Sequence, residues 1–493
     1  MTAGGFEMDG AAFRAAGHDL VERIAGWLDA LPESPVAPAT TPAAMADARG
    51  HGGLPEQGAE AGPLLARAFD LLAPATCLNA HPRMWGYITG SPAPIGALAD
   101  LLAAAVNPNV AGWNGAPMAT AIEEQAVAWV AELLGYPAGG GLFTSGGNAA
   151  NLVGLAAARH AHAGAAIRRE GLAGRRLTLY ATAECHAWIE KSADLLGLGM
   201  EAVRRVPIDG GARMDVAAAA AMIAADRQAG FEPFLIVGTA GTTAVGAIDP
   251  LPAMADLAAR EGLWFHVDGC YGAPAACLPD APADLLGLRR ADSLAVDAHK
   301  WLYVPLEAGC VLVRDGAHLK ATFSTNPSYY ALTGGETVTD YYAWGPQNSR
   351  GFRALKVWLA LQQAGRAGYR AAIARNIAQA RLMFEAADAA PDFEAVLCSL
   401  SIATFRYVPA DLMARRGEPA VAAWLDRLNG ALMGAVQRSG DLYLSNAVIG
   451  GAMVLRACIV NFRTSEDDAR SVPARVRAIA EPLARQMRGE LAA

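Results

Sequence analysis

The chain has 493 residues, of which 53% are hydrophobic and 18% charged, so it is long enough for a large core and more than one domain. Its net charge of -8 lacks the basic footprint that nucleic acids and anionic membrane surfaces require, which argues against both as partners. A charged fraction of only 18% leaves little polar surface for a monomer, which favours a homo-oligomer in which part of the surface is buried.

The seven cysteines are scattered, odd in number and contain no Cys-x-x-Cys pair. This usage is typical of reduced thiols in a cytoplasmic protein, and it indicates neither a disulfide framework nor a metal site. There is no basic start followed by an apolar segment, and no apolar run of about 18 residues. We therefore expect an untargeted protein without a membrane span.

The first predicted element is a helix, because Phe13, Leu20 and Leu28 recur at helical spacing until Pro32. Its apolar face predicts a packing partner, which we expect to be a second subunit. Residues 35–55 are rich in Pro, Ala and Thr and have no periodicity, so a linker or extended arm is predicted there.

Between about residues 80 and 320, apolar β-rich runs alternate with Ala-rich helical stretches. Continuous apolar strands separated by helices indicate an α/β domain with a mainly parallel sheet covered on both faces. Long helices are predicted over about 350–390, followed by a smaller α+β section. The predicted strands include 177–180, 234–238, 264–267, 294–296 and 310–313.

A glycine turn, Thr144-Ser145-Gly146-Gly147-Asn148, follows a short predicted strand and opens a predicted helix. Glycines allow close backbone approach, and free amides at a helix N-terminus bind phosphate. The alternative is an ordinary turn with a Ser or Asn cap. The spacing matches neither a Walker loop nor a dinucleotide fingerprint.

Polar residues also follow three of the predicted strands. Asp268 ends the strand 264–268, where it could bind Mg²⁺, cap a turn or hold a proton on a basic heterocycle. His186 and Thr243 follow two others, and each taken alone is equally compatible with a structural role.

Lys300 closes the apolar run 292–301, directly behind His299. An unpaired ammonium is costly to bury, but a lysine that becomes a neutral amine or an imine avoids that cost and gains catalytic use. The alternative is a strand-end lysine whose amine simply reaches solvent.

The order of phosphate turn, His, Thr, Asp and Lys along one sheet resembles the pyridoxal-phosphate enzymes of the aspartate-aminotransferase fold, fold type I. More narrowly, it resembles the group II decarboxylases that include aromatic-L-amino-acid decarboxylase. The resemblance covers nearly the whole chain, including 81–83, 340–341, 352–356 and Arg456.

The resemblance implies a large domain with a mainly parallel seven-stranded sheet, a small C-terminal α+β domain, and a homodimer with shared active sites. We accordingly expect an N-terminal helical, dimer-packing segment over 1–79, the cofactor-binding α/β domain over 80–365 and the small domain over 366–493.

By the same resemblance, the cofactor is pyridoxal 5'-phosphate and Lys300 forms its aldimine. Asp268 pairs with the pyridinium nitrogen, His186 stacks on the ring, and Tyr329 of the family's mobile loop donates a proton. The remaining positions implied to contact the cofactor are Gly146, Gly147, Asn148, Thr243, Asp297 and His299.

The implied reaction is decarboxylation of an L-amino acid to its amine and CO2. Tyr87, Ile88 and Trp113 match the side-chain pocket of relatives, which favours an aromatic substrate, although these residues could also be plain core. Ser349 matches a position that distinguishes phenolic from indolic substrates, and here favours phenolic ones. Two alternatives remain open: oxidative decarboxylation with deamination to an aldehyde, against which Tyr329 argues, and a non-aromatic substrate.

The sequence departs from the family pattern at three places. Asn148-Ala149 replaces the usual Ser-Glu, so phosphate contacts from side chains are expected to differ while backbone contacts survive. Cys270 stands where alanine is common, beneath the ring. Asp297 brings a negative charge close to the phosphate, so its carboxylate is expected to face backbone amides.

Overall fold

The computed structural model describes residues 6–325 and 338–492. Eleven strands are found in this part of the chain. They are β1 (Gly140–Thr144), β2 (Leu177–Thr182), β3 (Val203–Val206), β4 (Glu232–Thr239), β5 (Trp264–Asp268), β6 (Ser293–Asp297), β7 (Gly309–Val313), β8 (Phe393–Ser399), β9 (Ile402–Tyr407), β10 (Ser445–Ile449) and β11 (Ala452–Cys458).

Helices separate and cover these strands. They are α1 (Gly10–Ala30), α2 (Pro42–Arg49), α3 (Ala61–Leu72), α4 (Pro94–Val106), α5 (Pro117–Leu134), α6 (Gly147–Ala163), α7 (Ile167–Glu170), α8 (Trp188–Leu195), α9 (Val216–Gln228), α10 (Leu251–Glu261), α11 (Ala283–Leu286), α12 (Ala317–Phe323), α13 (Ala354–Asp388), α14 (Pro419–Ser439), α15 (Glu466–Arg470), α16 (Val472–Met487) and α17 (Gly489–Ala492). Short 3-10 helices lie at Leu31–Glu33, Met200–Ala202, Ala273–Cys277, Gly287–Arg290, Tyr341–Ala343 and Ala410–Arg415.

The central sheet has seven strands in the order β1-β7-β6-β5-β4-β2-β3. Strands β2 to β6 pair in parallel, whereas β7 runs antiparallel to both of its neighbours. Every residue of β2, β6 and β7 is buried, as continuous apolar sequences require when helices cover both faces of a sheet. The predicted strands, the seven-stranded sheet and the fold class are therefore confirmed.

This topology brings several strand ends to one edge of the sheet. The parallel strands β4, β5 and β6 end there at Thr239, Asp268 and Asp297. Strand β1 ends at the same edge, because β7 pairs antiparallel with both β1 and β6 and Gly309 lies opposite both Thr144 and Asp297. The polar residues that follow these strands are thereby brought together.

A second sheet lies in the C-terminal part of the chain, in the order β10-β11-β9-β8 and antiparallel throughout. It packs with α13, α14 and α16 around a separate core that includes Phe405, Trp424 and Leu455. This is the small α+β section predicted after the long helices.

Two N-terminal expectations had different outcomes. The predicted first helix is present as α1, and none of its residues is buried in the single chain. Residues 35–55 are not wholly irregular, because α2 forms there with Thr41 as its N-cap and proline at its first turn. The expected linker or extended arm therefore contains one short helix, and the absence of regular structure was wrong for residues 42–49 alone, since capping and proline chemistry start a helix without an apolar stripe.

The predicted division at residue 365 falls inside α13, which runs from the large sheet to the small one. Gly365 interrupts the helical backbone there, with φ 62° and ψ 172°. The three-domain division stays a prediction. None of the helices within residues 6–325 and 338–492 is long and apolar enough to cross a membrane.

A close backbone contact fixes β1 against β7. A methyl group added at Gly309 would lie 2.4–2.6 Å from backbone atoms of Gly146. We predict that Gly309→Ala lowers the free energy of unfolding by about 1–3 kcal/mol, because backbone atoms cannot yield as side chains do. Urea unfolding measures this change.

Gly430→Ala is the matched control, since a methyl group there has no neighbour within 4 Å and the residue lies inside α14. We expect it to raise stability by up to about 1 kcal/mol through helix propensity. Equal unfolding midpoints for Gly309→Ala and the unmodified protein would contradict the packing argument.

Candidate functional site

A cavity of about 540 Å³ opens at the edge of the large sheet where β1, β4, β5 and β6 end. Residues from the segments that follow five different strands meet in it, so a ligand there touches residues far apart in sequence. It is lined by Ile88, Ser145, Gly146, Gly147, Asn148, Ala149, Asn151, His186, Trp188, Thr239, Gly241, Thr243, Asp268, Cys270, Tyr271, Asp297, His299, Lys300, Leu306 and Glu307.

Lys300 enters the cavity from the turn that follows β6. Its Nζ lies 2.9 Å from Asp297 Oδ2, and its side chain is 22% exposed. Burial alone would lower the pKa of Lys300, but Asp297, Cys270 and Asp268 together outweigh burial and raise the pKa above its ordinary value. The amine is thus held as a cation, paired with a carboxylate three residues earlier in the chain.

Asp268 lies at the end of β5 and is 6% exposed. Its Oδ2 accepts a hydrogen bond of 2.7 Å from the indole Nε1 of Trp188, and its Oδ1 accepts one of 3.2 Å from the backbone N–H of Cys270. Two donors therefore hold the carboxylate in one orientation at the cavity wall.

His186 lies just before α8, two residues from Trp188. Its Nδ1 accepts a hydrogen bond of 3.3 Å from the backbone N–H of Trp188. Burial lowers the pKa of His186, and the opposing effect of Asp268 does not restore it. The imidazole is therefore neutral at neutral pH and presents a flat, uncharged ring to the cavity.

The glycine turn joins β1 to α6 beside the same cavity. Gly146 has φ 145°, a region that favours glycine, and no side chain caps the first turn of α6. A methyl group added at Gly147 would lie 2.6 Å from both Asp297 Oδ2 and Cys270 Sγ. The turn therefore needs its glycines, and it leaves the N–H groups at the start of α6 for an anion.

These residues fit pyridoxal 5'-phosphate. The start of α6 suits the phosphate, the oriented carboxylate of Asp268 suits a protonated ring nitrogen, and the amine of Lys300 suits the aldehyde. In addition, the buried Oδ1 of Asp297 has no hydrogen-bond partner among the described residues. A buried unpaired oxygen is a group that a ligand can satisfy.

The other positions expected at the cofactor are at the cavity wall as well. Thr243 and His299 line the cavity, and the Nδ1 of His299 is within 3.2 Å of both the carbonyl and the N–H of Ala308. Cys270 is buried, and burial raises the pKa of its thiol well above the usual range. This thiol is therefore protonated at neutral pH.

The predicted substrate-pocket residues divide into two groups. Ile88 lines the cavity, and Tyr87 lines an adjoining cavity of about 340 Å³ that also includes His186 and Thr243. Trp113 and Ser349 line neither of these cavities. Tyr329 lies outside the described residues.

Two residues of the site were not singled out from the sequence. Trp188 orients Asp268, and the only sequence signal for it is an aromatic residue two positions after His186. Asn151 sits one turn into α6, where its Nδ2 donates to the Gly147 carbonyl at 2.9 Å and lies 3.5 Å from Cys270 Sγ. Its Oδ1 also lies 2.7 Å from Nε2 of His266 on β5, a contact that only the folded arrangement reveals.

Comparison with known proteins gives a consistent result. A family model described as the pyridoxal-dependent decarboxylase conserved domain matches residues 53–408. The chain is 34% identical over 405 residues to an aromatic-L-amino-acid decarboxylase of Bacillus atrophaeus, covering 81% of this chain and 82% of that protein. It is also 28% identical over 469 residues to a phenylacetaldehyde synthase of Arabidopsis thaliana, covering 92% of each.

A solved structure, Oryza sativa TDC with PLP and tryptamine, superposes with a TM-score of 0.89 at 28% identity and covers 97% of this chain and 99% of that one. The family match spans more than half of the chain, and its cofactor fits the cavity. The chain is thus an enzyme of the pyridoxal-dependent decarboxylase family, with pyridoxal 5'-phosphate as its cofactor.

Proposed function

We propose that this enzyme decarboxylates an aromatic L-amino acid to the corresponding amine and CO2. The observation that carries the proposal is the convergence of Lys300, Asp268, His186 and the uncapped turn before α6 on one cavity. The aromatic-L-amino-acid decarboxylase at 34% identity supports the substrate class.

When bound, pyridoxal 5'-phosphate supplies a ring that accepts the electron pair left behind as CO2 departs. We assign Asp268 to hold a proton at the ring nitrogen, because its carboxylate is buried and oriented by the Trp188 indole. We assign His186 to cover one face of the ring, and its lowered pKa keeps it from placing a second positive charge there.

Lys300 is the proposed point of covalent attachment. Its ion pair with Asp297 holds the side chain inside the cavity as an ammonium. The ammonium must lose a proton before the amine can act as a nucleophile. The turn at 146–148 and His299 are proposed to hold the phosphate, and Thr243 to lie beside the cofactor.

The substrate side chain is proposed to lie against Tyr87 and Ile88. The carbonyl of Tyr87 accepts a hydrogen bond of 2.8 Å from Arg456 Nη1, and its hydroxyl lies 3.2 Å from that of Tyr443. The side chains of Tyr87 and Ile88 are themselves aromatic and apolar, which suits a tyrosine or tryptophan side chain, and Arg456 adds a cation to the cavity beside Tyr87.

A homodimer with shared active sites is proposed as the working form. Among the described residues, Trp113 and Ser349 line neither the cavity around Lys300 nor the adjoining one, so they are available to complete the site of a second subunit. The exposed apolar face of α4 supports such an interface, as does α1, which buries no residue in the single chain. On α4 this face consists of Leu98, Leu101, Leu102 and Val106.

We also propose the cytoplasm as its location. All seven cysteines are free thiols and five of them are buried, as is usual in a reducing compartment.

A panel of amino acids assayed for CO2 release tests the proposed function. We expect tyrosine, DOPA, phenylalanine or tryptophan to be the best substrate, and Lys300→Ala to abolish both turnover and covalent cofactor retention after borohydride reduction. Lys320→Ala, on α12 outside the cavity, is the control and should retain both. Preference for glutamate or another non-aromatic amino acid would overturn the aromatic assignment.

The role of Trp188 gives a second prediction. Trp188→Phe keeps the ring but removes the donor to Asp268, so kcat/KM should fall about tenfold or more, since hydrogen bonds to charged groups contribute about 1.5–3 kcal/mol. Trp424→Phe is the matched control, because this fully buried indole donates instead to the carbonyl of Met487, in the core beside the small sheet. Equal kcat/KM losses in the two variants would remove Trp188 from the site.

The aldehyde-forming alternative is favoured by the relationship to phenylacetaldehyde synthase. That reaction consumes O2 and water and releases aldehyde, CO2, ammonia and hydrogen peroxide in equal amounts. We propose that Tyr329 protonates the substrate carbon and thereby directs the reaction to the amine.

Tyr329→Phe should therefore shift the product from amine toward aldehyde, with ammonia and peroxide rising together. Tyr330→Phe, the same change one residue further along, should leave the amine yield unchanged. Amine, ammonia and peroxide are quantified in parallel. An unchanged amine yield from Tyr329→Phe would contradict the assignment of Tyr329 as proton donor.

A further inference from the structure

A buried ion pair joins Arg350 to Glu123 on α5. Arg350 Nη2 lies 2.5 Å from Glu123 Oε1, and Arg350 Nη1 lies 3.1 Å from Glu123 Oε2. Each side chain is only 1% exposed. Neither residue lines the cavity around Lys300.

The ion pair binds the backbone of Phe143, near the end of β1. Arg350 Nη2 donates to the carbonyl of Phe143 at 2.8 Å, and Glu123 Oε1 accepts from the N–H of Phe143 at 2.9 Å. Both backbone groups of Phe143 are therefore bound by the ion pair. The turn at 144–148, which we propose holds the phosphate, starts at the next residue.

The same arginine also holds a second part of the chain. Its Nη1 donates to the carbonyl of Val110 at 2.9 Å, its N–H donates to Asn109 Oδ1 at 2.9 Å, and its carbonyl accepts from the N–H of Val110 at 2.9 Å. Ser349 is its neighbour in sequence, and Trp113 lies three residues after Val110. Arg350 is thus bonded to the segment that leads to Trp113, and it directly follows Ser349; these are the two residues proposed to complete the substrate wall of a second subunit.

Stability alone does not account for this arrangement. Burying two charges is costly, and well-packed apolar residues of similar volume are often as stable or more stable. Moreover, Arg350 Nε is buried without a hydrogen-bond partner among the described residues. What the pair supplies is fixed geometry, since a guanidinium binds four acceptors in one plane.

We propose that Arg350 and Glu123 are positioning residues that couple the substrate wall at Trp113 and Ser349 to the cofactor turn at 144–148. This inference rests on the proposed function, which assigns the wall and the turn their ligands. Because wall and turn belong to one chain, in the proposed dimer the pair links the substrate wall of one active site to the cofactor turn of the other.

Arg350→Lys tests the coupling. Lysine keeps the charge, but its single nitrogen cannot replace both guanidinium nitrogens that bind Glu123, Val110 and Phe143. We expect the dissociation constant of pyridoxal 5'-phosphate to rise about tenfold, and the ratio of kcat/KM for tyrosine and tryptophan to change by about tenfold, for loss of charge-assisted hydrogen bonds. Cofactor binding is measured by spectroscopic titration without substrate.

Arg477→Lys is the matched control, because Arg477 also forms a bidentate ion pair, in this case with Asp392, near the small sheet. It should lower the unfolding midpoint yet leave the dissociation constant and the selectivity ratio unchanged. Glu123→Gln is the second test variant if Arg350→Lys does not fold, since its amide oxygen still accepts from Phe143 while the charge is lost.

The outcomes separate the two proposals. If the unmodified enzyme decarboxylates aromatic amino acids but the folded variants change neither quantity, or only one of them, the coupling is overturned. If the unmodified enzyme releases no CO2 from any aromatic amino acid, the proposed function fails. In that case the coupling is judged from the cofactor dissociation constant of the variants. An unchanged constant overturns the coupling as well, and a tenfold rise supports the proposed positioning of the turn at 144–148.

Discussion

The active-site region depends on a contact between two backbones. Gly309 at the start of β7 touches Gly146 in the turn after β1, with no room for a methyl group between them. This contact sets how closely the turn approaches the ends of β5 and β6, and hence its distance from Asp297 and Cys270. The turn keeps its place beside the cavity because main-chain atoms, rather than flexible side chains, make this contact.

The charged side chains of the cavity are arranged so that a lysine can be buried. Asp297 pairs with Lys300, Asp268 is held by Trp188 and a backbone amide, and His186 stays neutral through burial. Each carboxylate therefore has a distinct partner although both lie at one sheet edge. An ammonium paired with a carboxylate avoids much of the desolvation cost that makes isolated buried lysines rare.

Much of the site could be predicted from residue types and their order. Asp268, His186, Thr243 and Lys300 each follow a strand with a strong apolar signal, and parallel strands bring such positions to one edge. Sequence patterns did not predict α2, because this short helix has no apolar stripe and begins with only a cap and a proline. Trp188 and Asn151 were missed because their partners are distant in sequence.

The sequence by itself determined the fold class, the set of strands and the chemical character of the site, because apolar periodicity and residue type are local properties. Only the tertiary structure decided which groups meet: that Lys300 pairs with Asp297, that an indole orients Asp268, and that Arg350 joins β1 to the segment before α5. Lys300 and Asp297 are three residues apart and meet through the turn between them. The other contacts join residues 80 positions apart for Trp188 and Asp268 and 207 for Arg350 and Phe143, and the packing of the whole sheet, not any local pattern, sets their distances.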